Sequence, residues 1–274
     1  MPGAARPVIQ VEGLRHLYNG RPALDGVSFD VRPAEIFGLL GPNGSGKTTM
    51  FRILSTLMLP SGGRALIQGC DAATNPTALR RHIGVVFQAQ SIDIKLSAEE
   101  NLRHVGHLYG LRGAALKARI REMLGRVGLL ERAKDRAETF SGGMQRRLEL
   151  AKGLLHHPSV LLLDEPTTGL DPQNRANLWQ HVRGLRASGT TVFLTTHYLE
   201  EADELADRVA IVDHGHVVAE GTPNELKRAM ASSTIVIETA LAQPSLDDVF
   251  FHQTGRSLRD AGDATTTEAI GAAR

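Results

Sequence analysis

The chain has 274 residues, enough for one large domain with appendages, because single cores stop growing near ~250–300 residues. Its 31 Lys and Arg are matched by 30 Asp and Glu, a net charge of +1, which leaves no basic excess to serve as a nucleic-acid footprint. Cys70 is the only cysteine, so an internal disulfide is excluded and the cytosol is the default compartment.

Met1 to Pro7 is small and polar, lacks the apolar centre of a signal peptide, and is expected to be disordered. No apolar run approaches the ~20 residues of a membrane-spanning helix, so the expectation is a protein that neither spans a membrane nor is secreted. From Val8 onward, short β-branched or leucine-rich runs alternate with longer amphipathic segments, the α/β pattern with parallel strands. Strands are predicted at Ile9 to Leu14, Val27 to Val31, Ile36 to Leu40, Ala65 to Gln68, Gly84 to Gln88, Val160 to Leu163, Thr191 to Thr195, Val209 to Val212 and Val217 to Ala219. Turn-sized gaps at Asn19–Gly20 and at Asp213 to His216 predict an antiparallel portion flanking the parallel core.

The middle reads differently. From Ser97 to about Leu155 apolar residues recur at helical spacing (Leu102, Val105, Leu108; Ile120, Met123, Leu124, Val127), which predicts an inserted all-helical subdomain over about 91–157. After the main domain, 8–228, a C-terminal appendix is expected over 229–259. It holds a β-like run at Thr234 to Ile237 and a helix opened by a Ser245/Asp248 capping box, with Leu246, Val249 and Phe250 on one stripe. Residues 260–274 read as a disordered tail.

Gly41, Pro42, Asn43, Gly44, Ser45, Gly46, Lys47 and Thr48 follow a predicted strand and lead through Thr49 into a predicted helix, the context a P-loop requires. Small residues let the backbone curl so that N–H groups face phosphate oxygens, and the helix N-terminus adds its positive dipole end. In that pattern Lys47 contacts the β- and γ-phosphates and Thr48 places its hydroxyl on Mg²⁺. Val160 to Asp164 ends a buried-type strand on a carboxylate, and Glu165 follows at once. Asp164 is then placed to hold Mg²⁺ through water and Glu165 to orient the attacking water, two acids with different tasks. A third segment, Phe140 to Arg147, puts Ser141 in N-cap position with Gly142 and Gly143 in the first helical turn, a second anion site. Taken alone it reads equally as a glycine-softened helix start. Because one nucleotide already held by the first cradle has no need of it, the economical arrangement is a head-to-tail dimer with each ATP between two chains.

The order Tyr18, P-loop, Gln88, Ser141 segment, Asp164–Glu165, Gly169–Asp171 and Thr195–His197 resembles the ATP-binding cassette family over roughly Val8 to Leu226. The resemblance implies a P-loop NTPase core with a mixed, mainly parallel sheet, an antiparallel β subdomain and the helical insertion. It implies that Tyr18 stacks on adenine, with an ordinary hairpin aromatic as the alternative. Gln88 touches Mg²⁺ and the attacking water, Glu165 is the general base, His197 contacts the γ-phosphate, and Asp171 crosses the dimer interface. Phe140 and Met144 depart from the family's usual Leu-Ser-Gly-Gly-Gln, leaving the Ser141–Gly143 centre intact. The run from Val86 to Leu102, with Leu108 to Leu111 and Ser245 to Arg256, is similar to the daunorubicin-resistance type of export ATPases. That likeness implies ATP hydrolysis at the cytoplasmic membrane face, a separate integral membrane permease, and export of a drug, lipid or other hydrophobic compound. Other readings are a soluble cassette ATPase acting as a mechanical switch and a P-loop kinase. His104, His107, His156, His157, His214 and His216 lack a third metal ligand and are expected to be solvated, as are Arg146 and Arg147 on their helix edge.

Overall fold

A computed structural model describes residues 6–231 and 245–254. In chain order its elements are β1 (Ile9–Tyr18), β2 (Arg21–Val31), β3 (Ile36–Leu40), α1 (Lys47–Leu54), β4 (Gly62–Ile67), β5 (Cys70–Asp71), α2 (Pro76–Leu79) and β6 (Ile83–Val86). Then come α3 (Ala98–Leu108), α4 (Gly113–Arg126), α5 (Gly142–Gly153), β7 (Val160–Asp164), α6 (Pro172–Ala187), β8 (Thr191–Thr196), α7 (Leu199–Leu205), β9 (Arg208–Asp213), β10 (His216–Gly221), α8 (Pro223–Ala231) and α9 (Leu246–Thr254).

Two sheets carry the fold. One, in the order β2-β1-β4-β5, is antiparallel, and the other, β10-β9-β3-β8-β7-β6, is parallel apart from the terminal β9–β10 hairpin. Strands β3 and β7 are buried at every residue, as continuous apolar runs in a sheet covered on both faces must be. Phe29 of β2, Phe37 of β3 and Phe193 of β8 stack between the sheets with centroids 5.1–6.1 Å apart. Every predicted strand within the described residues is present. The extra β5 is two residues long, too short for a periodicity to register.

Between β6 and β7 the chain is helical apart from one isolated bridge, Ser97 to Arg136. α3 starts on a full capping box: Ser97 Oγ accepts the Glu100 N–H, and Glu100 in turn accepts the Ser97 N–H at 2.8 Å. Leu116, Ile120, Met123 and Leu124 of α4 bury against Leu148, Ala151 and Leu155 around α5. The same device recurs at α9, where Asp248 accepts the Ser245 N–H at 2.7 Å and Ser245 Oγ accepts that of Asp248. Its Leu246, Val249 and Phe250 then close a small core with Leu40, Val209, Ile211 and Leu226. The run Thr234 to Ile237, the tail 260–274 and most of the predicted disordered start lie outside the described residues.

Since Phe250 is wholly buried there and its neighbour Phe251 is 57 % exposed, Phe250→Ala should cost about 3–5 kcal/mol. Phe251→Ala should cost under about 0.5 kcal/mol. Urea denaturation of the two variants side by side measures the difference.

Candidate active site

The carboxyl ends of β3, β8, β7 and β6 lie side by side, held in register by pairs such as Leu40 with Thr196 and Asp164 with Thr195. Ligands of open α/β sheets bind outside such strand ends, and here each end delivers a predicted site residue.

From β3 comes the loop Gly41 to Thr48. Gly46 has φ 108°, a conformation L side chains rarely adopt, and a Cβ there would lie 2.5 Å from the Ala23 carbonyl oxygen. The loop therefore closes against β2 only with glycine at this position. Lys47 opens α1 and is 4 % exposed, its Nζ donating to the carbonyls of Gly41 (2.8 Å) and Pro42 (2.9 Å). Ser45 Oγ is buried in the loop with no hydrogen-bond partner, an orphaned donor facing a cradle. Asn43, Gly44 and Thr48 are exposed at its mouth. Thr49 is buried and donates to the Tyr18 hydroxyl at 3.5 Å, and that hydroxyl donates to Met58 Sδ at 3.3 Å. Tyr18 therefore stands beside α1 with 42 % of its surface exposed, at the end of β1, where it pairs with Arg21 across the Asn19–Gly20 hairpin.

From β7 come Asp164 and Glu165. Asp164 accepts the Thr195 hydroxyl at 2.6 Å, and burial pushes its carboxyl above the usual range against that bond. Glu165 has φ 43°, an uncommon conformation for a non-glycine residue, and donates its N–H to the carbonyl and hydroxyl of Thr195. Around its carboxylate stand Lys47 Nζ at 3.9 Å, His197 Nδ1 at 3.2 Å, Gln88 Nε2 at 3.3 Å and the Thr168 hydroxyl at 3.3 Å. Burial opposes the charge, but His197, Lys47 and Thr168 together outweigh it and hold the Glu165 carboxyl below its ordinary range. Lys47 is pushed down by burial and pulled back by Glu165 and Asp164. Gln88 lies two residues beyond β6, and His197 directly follows β8.

The structure thus brings together Lys47, Gln88, Asp164, Glu165 and His197. Ser141, Gly142, Gly143 and Asp171 form a separate group, and among the described residues no hydrogen bond or ion pair joins them to 41–48. Ser141 caps α5 by accepting the Met144 N–H at 3.3 Å. Gly142 has open space where its Cβ would be, whereas a Cβ on Gly143 would strike Asn174 Oδ1 at 2.2 Å. The absence of a side chain at the second glycine is what admits α6. Asp171 caps α6 by accepting the Asn174 N–H at 3.0 Å.

Several expectations are corrected. Arg146 is not solvated: it is 8 % exposed, because its guanidinium donates to the carbonyls of Phe87, Asp164 and Pro166 and to Glu149. Arg147 is half-buried and donates to the Val127 carbonyl at 2.8 Å. His156 stacks on Tyr109 at 3.7 Å and contacts the Ile83 carbonyl at 2.9 Å, and burial lowers its pKa. Thr168 and Thr195 were missed. The place of Thr168 three residues after Glu165 was the signal available for it, and Thr195 was named in its strand and at the head of the Thr195–His197 motif without a role of its own.

Parallel strands ending on a glycine-lined phosphate loop, beside a strand-terminal Asp-Glu pair, define a nucleotide-hydrolysing P-loop protein. The family "ABC transporter" matches residues 24–168. The chain belongs to the ATP-binding subunits of that family, which bind ATP, couple its hydrolysis to transport and work with separate membrane permeases. It is 46 % identical over 236 residues to the daunorubicin/doxorubicin resistance ATP-binding protein DrrA of Streptomyces peucetius, covering 86 % of this chain and 71 % of the other. It is 38 % identical to the linearmycin resistance ATP-binding protein LnrL of Bacillus subtilis, covering 95 % of this chain and 83 % of the relative. A solved ATP-binding subunit of an ABC transporter superposes with a TM-score of 0.76 at 29 % identity, covering 90 % of this chain and 99 % of that one. Among the described residues no helix is long and apolar enough to cross a membrane.

The raised pKa of Asp164 means that the folded state binds its proton more tightly than the unfolded chain does. Its charge then costs stability above the folded pKa, and the cost vanishes as pH falls below the unfolded value near ~4. Asp164→Asn should therefore raise the unfolding temperature of the nucleotide-free protein at pH 7, with the gap closing toward pH 4. The same variant should lose most of the stabilisation that Mg·ATP gives the unaltered protein, read in the same thermal scans.

Proposed function

We propose that this chain energises export of a drug, lipid or other hydrophobic compound, as one of two identical ATPase subunits at the cytoplasmic membrane face beneath a separate permease. The cargo class rests on the resistance and export functions carried in the names of its relatives. The observation that carries the chemistry is Glu165, a charged carboxylate at the mouth of the phosphate loop with His197, Gln88, Thr168 and Lys47 around it.

In this reading Lys47 exchanges its two loop carbonyls for the β- and γ-phosphates, and the N–H groups of Gly41 to Thr48, with the Ser45 hydroxyl, take the phosphate oxygens. Thr48, Asp164 and the Gln88 side-chain oxygen form an all-oxygen donor set of the kind Mg²⁺ accepts when phosphates and water complete its shell. Bound there, Mg²⁺ would supply charge neutralisation across the β- and γ-phosphates. Glu165, ionised and held from three sides, orients a water in line with the γ-phosphate and takes its proton, while His197 leaves the carboxylate for the γ-phosphate. Ser141, Gly142 and Gly143 would meet the γ-phosphate of the nucleotide held by the other chain, with Asp171 at the same seam. Tyr18 supplies the ring for adenine.

Glu165→Gln should bind Mg·ATP, accumulate as a closed dimer, and hydrolyse about 10²–10⁴-fold more slowly. Size-exclusion chromatography with ATP and a phosphate-release assay read the two halves separately. Near-normal turnover would remove Glu165 from the role, and a monomer under these conditions would remove the dimer.

A further inference from the structure

One face of α5 is polar in a way the hydrolysis chemistry does not use. Gln145, Arg146, Glu149 and Lys152 recur at helical spacing, and all four reach the segment 87–91 that carries Gln88. Gln90 Nε2 donates to Gln145 Oε1 at 2.8 Å. The Ser91 N–H donates to Glu149 Oε1, and Lys152 donates to the carbonyl and hydroxyl of Ser91 at 2.6 Å each. At the other end of the segment Arg146 Nη1 donates to the Phe87 carbonyl, next to Gln88. The same guanidinium donates to the carbonyls of Asp164 (3.1 Å) and Pro166 (2.8 Å), the two residues that flank Glu165.

One planar, five-donor group thus fixes the peptide that leads into the general base, the Pro166–Thr167 peptide just beyond it and the peptide before the glutamine. Glu149, 1 % exposed, faces Arg146 at 2.8 Å, so the pair is internally neutral. Glu165 needs such support, because its φ of 43° is a conformation that persists only when its surroundings hold it. Lysine at 146 could not serve three carbonyls lying in different directions.

We propose that Arg146, seated on Glu149, is a positioning residue that sets Glu165 and Gln88 for hydrolysis and binds the 87–91 segment and the Ser141-capped helix into one rigid unit. The proposal rests on the roles given above to Glu165 and Gln88.

Removing Arg146 alone would strand Glu149 in the interior, so the test replaces both by apolar residues of similar size, Arg146→Met with Glu149→Leu. In the complex with its membrane subunit, this paired variant should keep its unfolding temperature within a few degrees and its KM for ATP within threefold, yet lose at least tenfold in kcat. Gln88→Ala should lower kcat less in that background than in the unaltered protein, since the glutamine is already misplaced. Arg146→Lys should not restore the rate. A folded paired variant within twofold of normal kcat, additive effects with Gln88→Ala, or rescue by lysine would each overturn the proposal.

A second measurement does not depend on the paired variant folding. Gln90→Cys with Gln145→Cys, in a Cys70→Ser background and joined by a short bismaleimide, should retain at least half the turnover of the unlinked protein. Arrest by the cross-link would mean that loop and helix part during the cycle, against a rigid unit. Glu165→Gln and Gln88→Ala assayed alone separate the levels: if neither lowers kcat the site reading fails, and if both do while the paired variant does not, only the positioning role fails.

Discussion

A buried ammonium has to be neutralised, and much of this site follows from how Lys47 meets that requirement. With 4 % of its surface exposed, it has given up its hydration shell for two loop carbonyls, and burial drives its pKa down. The compensating charges are Glu165, 3.9 Å away, and Asp164. Those two carboxylates repel one another, so each leans on further groups, Asp164 on Thr195 and Glu165 on His197, Lys47 and Thr168. The site is thus a set of charges balanced against each other rather than against solvent. In the proposed function a triphosphate would replace the carboxylates as the lysine's partner and free Glu165 to act on water.

Such a balance needs groups from distant parts of the chain at fixed mutual positions, and the parallel sheet supplies them. Because β6, β7, β8 and β3 are neighbours and point the same way, the residues just past their last hydrogen-bonded pairs fall on one crest. That crest carries Gln88, Asp164, Glu165, His197 and the phosphate loop. Side-chain alternation does the finer work: Thr195 pairs with Asp164 across the β7–β8 ladder, which is why its hydroxyl can anchor that carboxylate.

What could be read from the sequence and what could not divides along physical lines. Backbone-dictated features were legible. The glycines of the phosphate loop, the N-cap serines at 141 and 245, and the buried strand Val160–Asp164 each reflect a local rule that holds without knowing the partner. Arg146 was misjudged because its fate is decided by three carbonyls remote in sequence, and an arginine on an amphipathic helix edge is by default solvated. His156 failed the same way, its ring being buried by Tyr109 from another helix. Gly143 has a second use the sequence did not show, since Asn174 of α6 occupies the space a side chain there would need.

That last point bears on how the second anion site is prepared. Gly143 admits Asn174, and Asn174 donates its backbone N–H to Asp171, so the Ser141 turn and the start of α6 are set by one another before any partner arrives. α6 in turn begins seven residues after Glu165, on the same loop whose Pro166 carbonyl accepts from Arg146 of α5. Two routes therefore run from α5 to Glu165, one through Asn174 and the 166–171 loop, the other through the Arg146 guanidinium. α5 also packs directly on the sheet, its Gly153 against Gly84 of β6, but these two routes end on the peptides around Glu165. In the dimer proposed above, arrival of the opposing phosphate at Ser141 would thus reach, by these two routes, the carboxylate that activates water against the other nucleotide, the one in its own cradle.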